Sequence, residues 1–419
     1  MYNHFSNRGC NNCGTSCSNN ACSHRHKNRC NSCLIYNNCQ TSCGCSDGCS
    51  DGCSNHIVEE IMCALRRNPA LLNELACIVA KNLIHFSYVI KGATGPTGAT
   101  GVCTCPVGTT CSVYLANYGS NNVTVLDTQT DDIIATIPVG TNPVDVVAVG
   151  SNLIYVTNSG TNNISVINSN TNTIVCTISV GTKPSSIYYD STKNVVYVVN
   201  TDSNSISVVD PSTNTVICTI GVGTSPSEMA IDPTKNLAYV SDSGSNEISV
   251  IDTLTNTVIA TYPVSGIPSS VVVNPTTGLD YVADMNNNMI YVVDTNTGNM
   301  VTTIAVGSVP VKEVLDGDSN LLYVSNSVGN SVSVIDTTTN TIICTIDANG
   351  YPFGLLVDKN ADRLYVANTG SDTLSIVDTT TNTVIKTVAV GTQPSEMDII
   401  CNQSSNTLIN FLRLRGIIR

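Results

Sequence analysis

From Ser112 onward, short apolar runs alternate with clusters of Ser, Thr, Asn, Asp and Gly, a pattern of strands and turns rather than of helices. One stretch, 226–266, shows the unit. Ser227–Ile231 predicts a first strand and Asp232–Asn236 a turn. Leu237–Ser241 predicts a second strand and Asp242–Asn246 another turn. Ile248–Asp252 reads as a third strand, and Val258–Val264 follows Thr253–Asn256 as a fourth. Proline falls at the start of the unit, where no ladder donor is lost.

The unit repeats. A tyrosine recurs at Tyr114, Tyr155, Tyr197, Tyr239, Tyr281, Tyr323 and Tyr365, spaced 41 residues once and 42 thereafter. A proline keeps step at Pro143, Pro184, Pro226, Pro268, Pro310, Pro352 and Pro394. Two markers sharing one period, with four strand-length runs per unit, predict an all-β seven-bladed β-propeller with four-stranded blades over 112–401. A lone blade would leave both faces wet, so neighbours must cover them. The first repeat lacks a leading strand, and Pro394 opens a unit that is never completed. Met397–Cys401 should therefore supply the innermost strand of the first blade and close the ring.

Four further segments flank the repeats. Residues 1–54 hold eleven cysteines amid Asn, Ser and Gly and read as a low-order segment. Ile57, Ile61 and Leu65 share one face, and Asn68-Pro69 reads as a helix start before Leu71, Leu75 and Ile78. A helical hairpin is expected over 55–87, with a greasy face that favours self-association. Residues 88–111 form a linker with glycine at every third position from Gly92 to Gly101, and 402–419 form a C-terminal tail.

Tyr155-Val-Thr-Asn158, Tyr323-Val-Ser-Asn326 and Tyr365-Val-Ala-Asn368, with Val332–Asp336 and Val390–Pro394, resemble the YVTN family of β-propeller repeats over about 290 of the 419 residues. That resemblance implies a surface-layer-like propeller used for display and binding. Gly92–Gly101 and the Cys-rich front resemble collagen-like and cross-linked proteins of bacterial spore surfaces, the exosporium and coat. The implied partners are other surface-layer or coat proteins, joined by self-association or disulfide cross-linking.

Charge narrows the picture. Residues 112–401 carry 7 Lys/Arg against 26 Asp/Glu, a balance of −19, which argues against nucleic acid as a partner. The polar N-terminus lacks the apolar core of a signal peptide. Ala76–Ile90 is too short and too polar to span a bilayer, so no membrane insertion is expected. A spore or cell surface is the expected location, with the cytoplasm as the alternative.

Candidate chemistry is sparse. All five histidines precede the repeats, so the ring has none for proton transfer or metal ligation. A non-enzymatic role is expected; the alternative is a lactonase-type hydrolase, a class that YVTN-like rings also resemble. Asp127, Asp210, Asp252, Asp294, Asp336 and Asp378, with Asn168 in the seventh copy, each precede a turn that they should cap. Two residues after each proline stand Asp145, Ser186, Glu228, Ser270, Lys312, Gly354 and Glu396, expected to ring one channel mouth. Asp145, Glu228 and Glu396 could hold a cation such as calcium there, or form an acidic rim with Lys312 as counter-charge. Phe353, the ring's one phenylalanine, could touch a ligand or pack an irregular turn. Cys10, Cys13, Cys30 and Cys33 have zinc-compatible spacing, with cross-linking as the competing use of these thiols. Cys176, Cys218 and Cys344 share one outer-strand position on separate blades, too far apart to pair.

Overall fold

The computed structural model describes residues 110–402. The Cys-rich segment with Cys10, Cys13, Cys30 and Cys33, the helical hairpin, the linker up to 109 and the tail from 403 lie outside the described residues.

Twenty-eight strands form seven four-stranded sheets, each an antiparallel meander. Blade 1 comprises 110–138 together with Pro394–Asn402. Blades 2 to 7 span 143–179, 184–221, 226–263, 268–305, 310–347 and 352–389. The unit anticipated over 226–266 is realised as Pro226–Asp232, Leu237–Asp242, Glu247–Asp252 and Thr257–Pro263. The innermost strands touch in an unbroken cycle, each against the next and the last against the first.

Packing explains why the pattern closes. Seven apolar clusters occupy the seven junctions between blades, and none lies within a single blade. The repeated tyrosines are among the largest fully buried side chains. Four of them carry the hydroxyl into the next blade. Tyr114, Tyr155, Tyr197 and Tyr281 donate to Asn172, Asn214, Asn256 and Asn340 at 2.5–3.2 Å. These asparagines sit in outer turns at positive φ, a conformation that Asn tolerates well. The motif's asparagine works inside the blade: Asn200 Nδ2 donates to Ser207 on the next strand at 3.0 Å. The glycine of Val-Gly-Thr-x-Pro covers it closely, since a Cβ on Gly181 would come within 2.5 Å of Asn200 Cγ.

The last strand pairs with the first, matching Ser112 to Ile400 and Tyr114 to Asp398. A disulfide joins Cys111 to Cys401 across this pair, 290 residues apart in sequence. At the same closing junction Arg363 of blade 7 pairs with Asp131 of blade 1.

Candidate functional site at the channel mouth

Each blade's innermost strand has no sheet partner on its channel side, so its N–H groups need other acceptors. Two carboxylates supply them in the same way. Asp145 takes the Val146 N–H at 2.7 Å and reaches the next blade's Ile187 N–H at 2.9 Å. Asp398 takes the Ile399 N–H at 2.7 Å and the next blade's Ala148 N–H at 2.7 Å. These are ties between blades. Burial raises both carboxyls to about 6.

Side chains two residues after the repeat proline converge on the axis. Lys312 Nζ of blade 6 lies 2.6 Å from Glu228 Oε2 of blade 4 and 3.6 Å from Glu396 Oε1 of blade 1. Neither partner belongs to an adjacent blade, so these contacts cross the channel. Ser186 of blade 3 donates to Glu228 Oε1 at 2.7 Å. Lys312 and Glu228 are each 15% exposed, and Glu396 less. Burial alone would lower the Lys312 ammonium, but Glu228, Glu396 and Asp145 hold it above the ordinary lysine value. Burial raises Glu396 to about 8, against the pull of Lys312.

The geometry thus gathers Glu228 and Glu396 about the Lys312 ammonium and gives Asp145 a backbone-bridging place beside them. Among the described residues, no group of three or more His, Cys, Asp or Glu side chains is arranged to hold a metal ion. Ser270 is buried in the neighbouring wall, and Gly354 leaves no side chain.

One further carboxyl belongs to this wall. Glu313, beside Lys312 in sequence, is buried where other blades carry Val146, Ile187, Met229, Val271, Leu355 and Met397. It lies near Ser270 of blade 5 without a hydrogen bond of good geometry, and burial raises it to about 8. The repeat alignment carried the signal: a glutamate in an otherwise apolar column.

The turn aspartates cap turns. Asp127, Asp210, Asp252, Asp294, Asp336 and Asp378, with Asn168, each accept from the N–H two residues on, at 2.7–2.9 Å. Phe353 is half-buried, and its carbonyl accepts from Ser325 Oγ at 2.8 Å. Cys176, Cys218 and Cys344 are unpaired, half-buried thiols, raised by burial and so poor in thiolate.

No protein-family model matches the chain, and no curated protein matches it in sequence. Solved structures do match in fold. A functionally unknown protein from Desulfotomaculum acetoxidans superposes with a TM-score of 0.61 at 16% identity, covering 70% of this chain and 99% of that one. Hydrazine synthase of Kuenenia stuttgartiensis gives 0.56 at 20%, covering 62% and 90%, and AztD of Citrobacter koseri gives 0.55 at 13%, covering 70% and 98%. At such identities the likeness is one of fold alone, and the neighbours' roles are mixed. The seven-bladed propeller is established; the YVTN and spore-surface resemblances rest on the sequence motifs.

Proposed function

We propose that this chain is a non-catalytic structural and interaction protein whose ring joins a larger surface assembly through its perimeter. The observation that supports this most directly lies on the outermost strands. At the same two positions they expose apolar residues: Ile133 and Ile134, Ile174 and Val175, Val216 and Ile217, Met300 and Val301, Ile342 and Ile343, Val384 and Ile385, with Ile259 in blade 4. Ile217 and Ile343 are 55% and 53% exposed.

Each of these strands also ends its sheet, leaving one edge of backbone donors and acceptors unpaired. Sheets usually guard such edges with Lys, Pro or inward charges. Here Asp347 and Lys386 are the charged residues among the seven outermost strands. A register shift interrupts the pairing of each outermost strand with the third. Even so, edges so nearly free of charge and rich in β-branched residues favour strand addition by a partner. In a ring of net charge −19 they also offer faces that can meet without like-charge repulsion. The Cys-rich front would anchor the ring by cross-linking to other layer proteins. Its placement at a spore or cell surface is supported by the sequence resemblance.

The test is the assembly state of the full chain under reducing conditions, by light scattering and negative-stain imaging. Concentration-dependent assemblies are expected, dispersed by Val175→Lys, Ile217→Lys and Ile343→Lys together. A monomer at high concentration, or assemblies indifferent to these three changes, would sink the reading.

A further inference from the structure

The junction between blades 4 and 5 departs from the other six, and every departure falls around one cavity. In the column preceding the repeat tyrosine stand Val113, Ile154, Val196, Ala238, Leu322 and Leu364, all buried; blade 5 has Asp280 there, 1% exposed. Its Oδ1 has no hydrogen-bond partner. Where other blades carry Ser or Thr in the third strand, blade 5 carries Tyr291, whose hydroxyl is committed to Asp284 at 2.7 Å. Where other outer strands carry Ile or Val, blade 4 carries Tyr262. Opposite it, Gly298 replaces the turn asparagine, and a Cβ there would lie 2.5 Å from the Tyr262 ring.

These changes open a cavity of about 70 Å³. Ile248, Val282 and Val293 wall its buried floor beside Asp280, while Pro263, Ser265 and Met300 form an exposed rim. The floor therefore communicates with the perimeter of the ring. The ammonium of Lys235, a neighbour of Asp280, is bound to Thr295 and Asn296 at 2.5 and 2.8 Å. Burial still raises the Asp280 carboxyl to about 8 against that ammonium, so its charge, full only above that pH, is costly unless something more answers it. A hard metal ion would ask for six or more oxygens, which this lining does not offer. An anion would meet Asp280 with like charge. A compact organic cation suits the lining: the carboxyl answers its charge, the tyrosine rings attract it through their faces, and the aliphatic floor takes its methyl groups. A water occupies about 30 Å³ in the liquid, so the volume matches a head group of a few heavy atoms.

We propose that the cavity between blades 4 and 5 is a binding site for a small alkylammonium group, held by Asp280 and flanked by Tyr262 and Tyr291. The inference is independent of the perimeter assembly and stands or falls separately from it.

The experiment is calorimetric titration of the full chain with methylammonium and trimethylammonium chloride, against sodium chloride at equal ionic strength. tert-Butanol serves as the uncharged counterpart of similar shape. The two ammonium ions are expected to bind, and tert-butanol about tenfold more weakly or worse, a difference of about 1.4 kcal/mol. Asp280→Asn, nearly isosteric, should abolish the ammonium signal. Asp280→Leu should abolish it too while leaving the thermal midpoint unchanged or raised, because Leu322 and Leu364 already fill that column in blades 6 and 7. Absence of ammonium binding, equal binding of tert-butanol, or binding that survives in Asp280→Asn would each overturn the proposal. So would a lowered midpoint in both variants, which would mark Asp280 as a structural partner within the fold.

Discussion

Lys312 and Glu228 meet at 2.6 Å although a whole blade stands between theirs in the ring. The pair is a strut across the channel, and Glu396 braces it from a third blade at 3.6 Å. Removing the cation would leave carboxyls buried with no counter-charge. Lys312→Met should therefore cost about 3–5 kcal/mol at pH 8, read from urea unfolding. Adding Glu228→Gln and Glu396→Gln in that background should recover most of the loss. A single variant that unfolds at the wild-type midpoint would show that the strut carries no stability.

The disulfide between Cys111 and Cys401 acts on the unfolded chain. It closes a loop of nearly the entire ring, so chain-entropy reasoning puts its contribution at about 5–6 kcal/mol. Cys111→Ser with Cys401→Ser should lower the midpoint by that order and make unfolding insensitive to reductant. Wild-type protein should shift toward the double variant when dithiothreitol is added. An unchanged midpoint in both experiments would mean that strand pairing alone holds the closure.

How much of this was legible beforehand depends on which contacts the repeat dictates. Tyr114 through Tyr365 announced the blades because every junction needs one large side chain at the same depth. Pro394 announced the closure because it opened a strand with no blade to follow. Cys111 did not announce its bond, since it sits among linker cysteines and only the register of Cys401 singles it out. The reach of Lys312 to Glu228 was equally hidden: partners across an axis share neither sequence spacing nor strand. Asp280 and Glu313 stand in the repeat as charges in apolar columns. A column position, however, carries no sign of the cavity or the buried wall around it, which only the packing of two blades creates.

Glu313 sets a pH dependence whose sign can be worked through. Its folded value is about 8, whereas an unfolded glutamate titrates near about 4.3. Between these values the folded chain holds the extra proton, so stability falls as pH rises, by about 1.4 kcal/mol per pH unit for this group. The contribution is full below the unfolded value, is lost on approach to pH 8, and is flat beyond. Glu313→Gln mimics the protonated acid. It should match wild type at pH 5 and exceed it in urea midpoint at pH 9. A variant less stable than wild type at pH 9 would contradict this.

Val309 occupies a left-handed conformation, φ 55°, that suits a β-branched residue poorly. Blade 2 places Asn142 at the same step with φ 53°. Val309→Asn keeps the backbone N–H that bonds Asn288 Oδ1 at 2.8 Å and should stabilise the ring by about 1 kcal/mol. Thermal unfolding of the single variant decides it, and a lowered midpoint would mean the valine side chain packs usefully enough to outweigh its backbone.

Gly298 permits the sharpest test of why one junction differs. Asparagine suits its φ of 68°, as Asn256 and Asn340 show at 54° in equivalent turns. What forbids it is Tyr262, whose ring takes the space a Cβ needs. Gly298→Asn alone should cost about 1–3 kcal/mol through that overlap. With Tyr262→Ile, the residue of most other blades, the overlap disappears and Tyr239 gains the amide that Tyr114, Tyr155, Tyr197 and Tyr281 bond in theirs. The double variant should therefore be more stable than the sum of the single effects by about 1 kcal/mol or more. It should also lose ammonium binding, because the Tyr262 ring that flanks the cavity is gone and the restored asparagine side chain takes its place. Additive singles would mean that glycine and tyrosine came to this junction independently, and that nothing about the gap between them is coordinated.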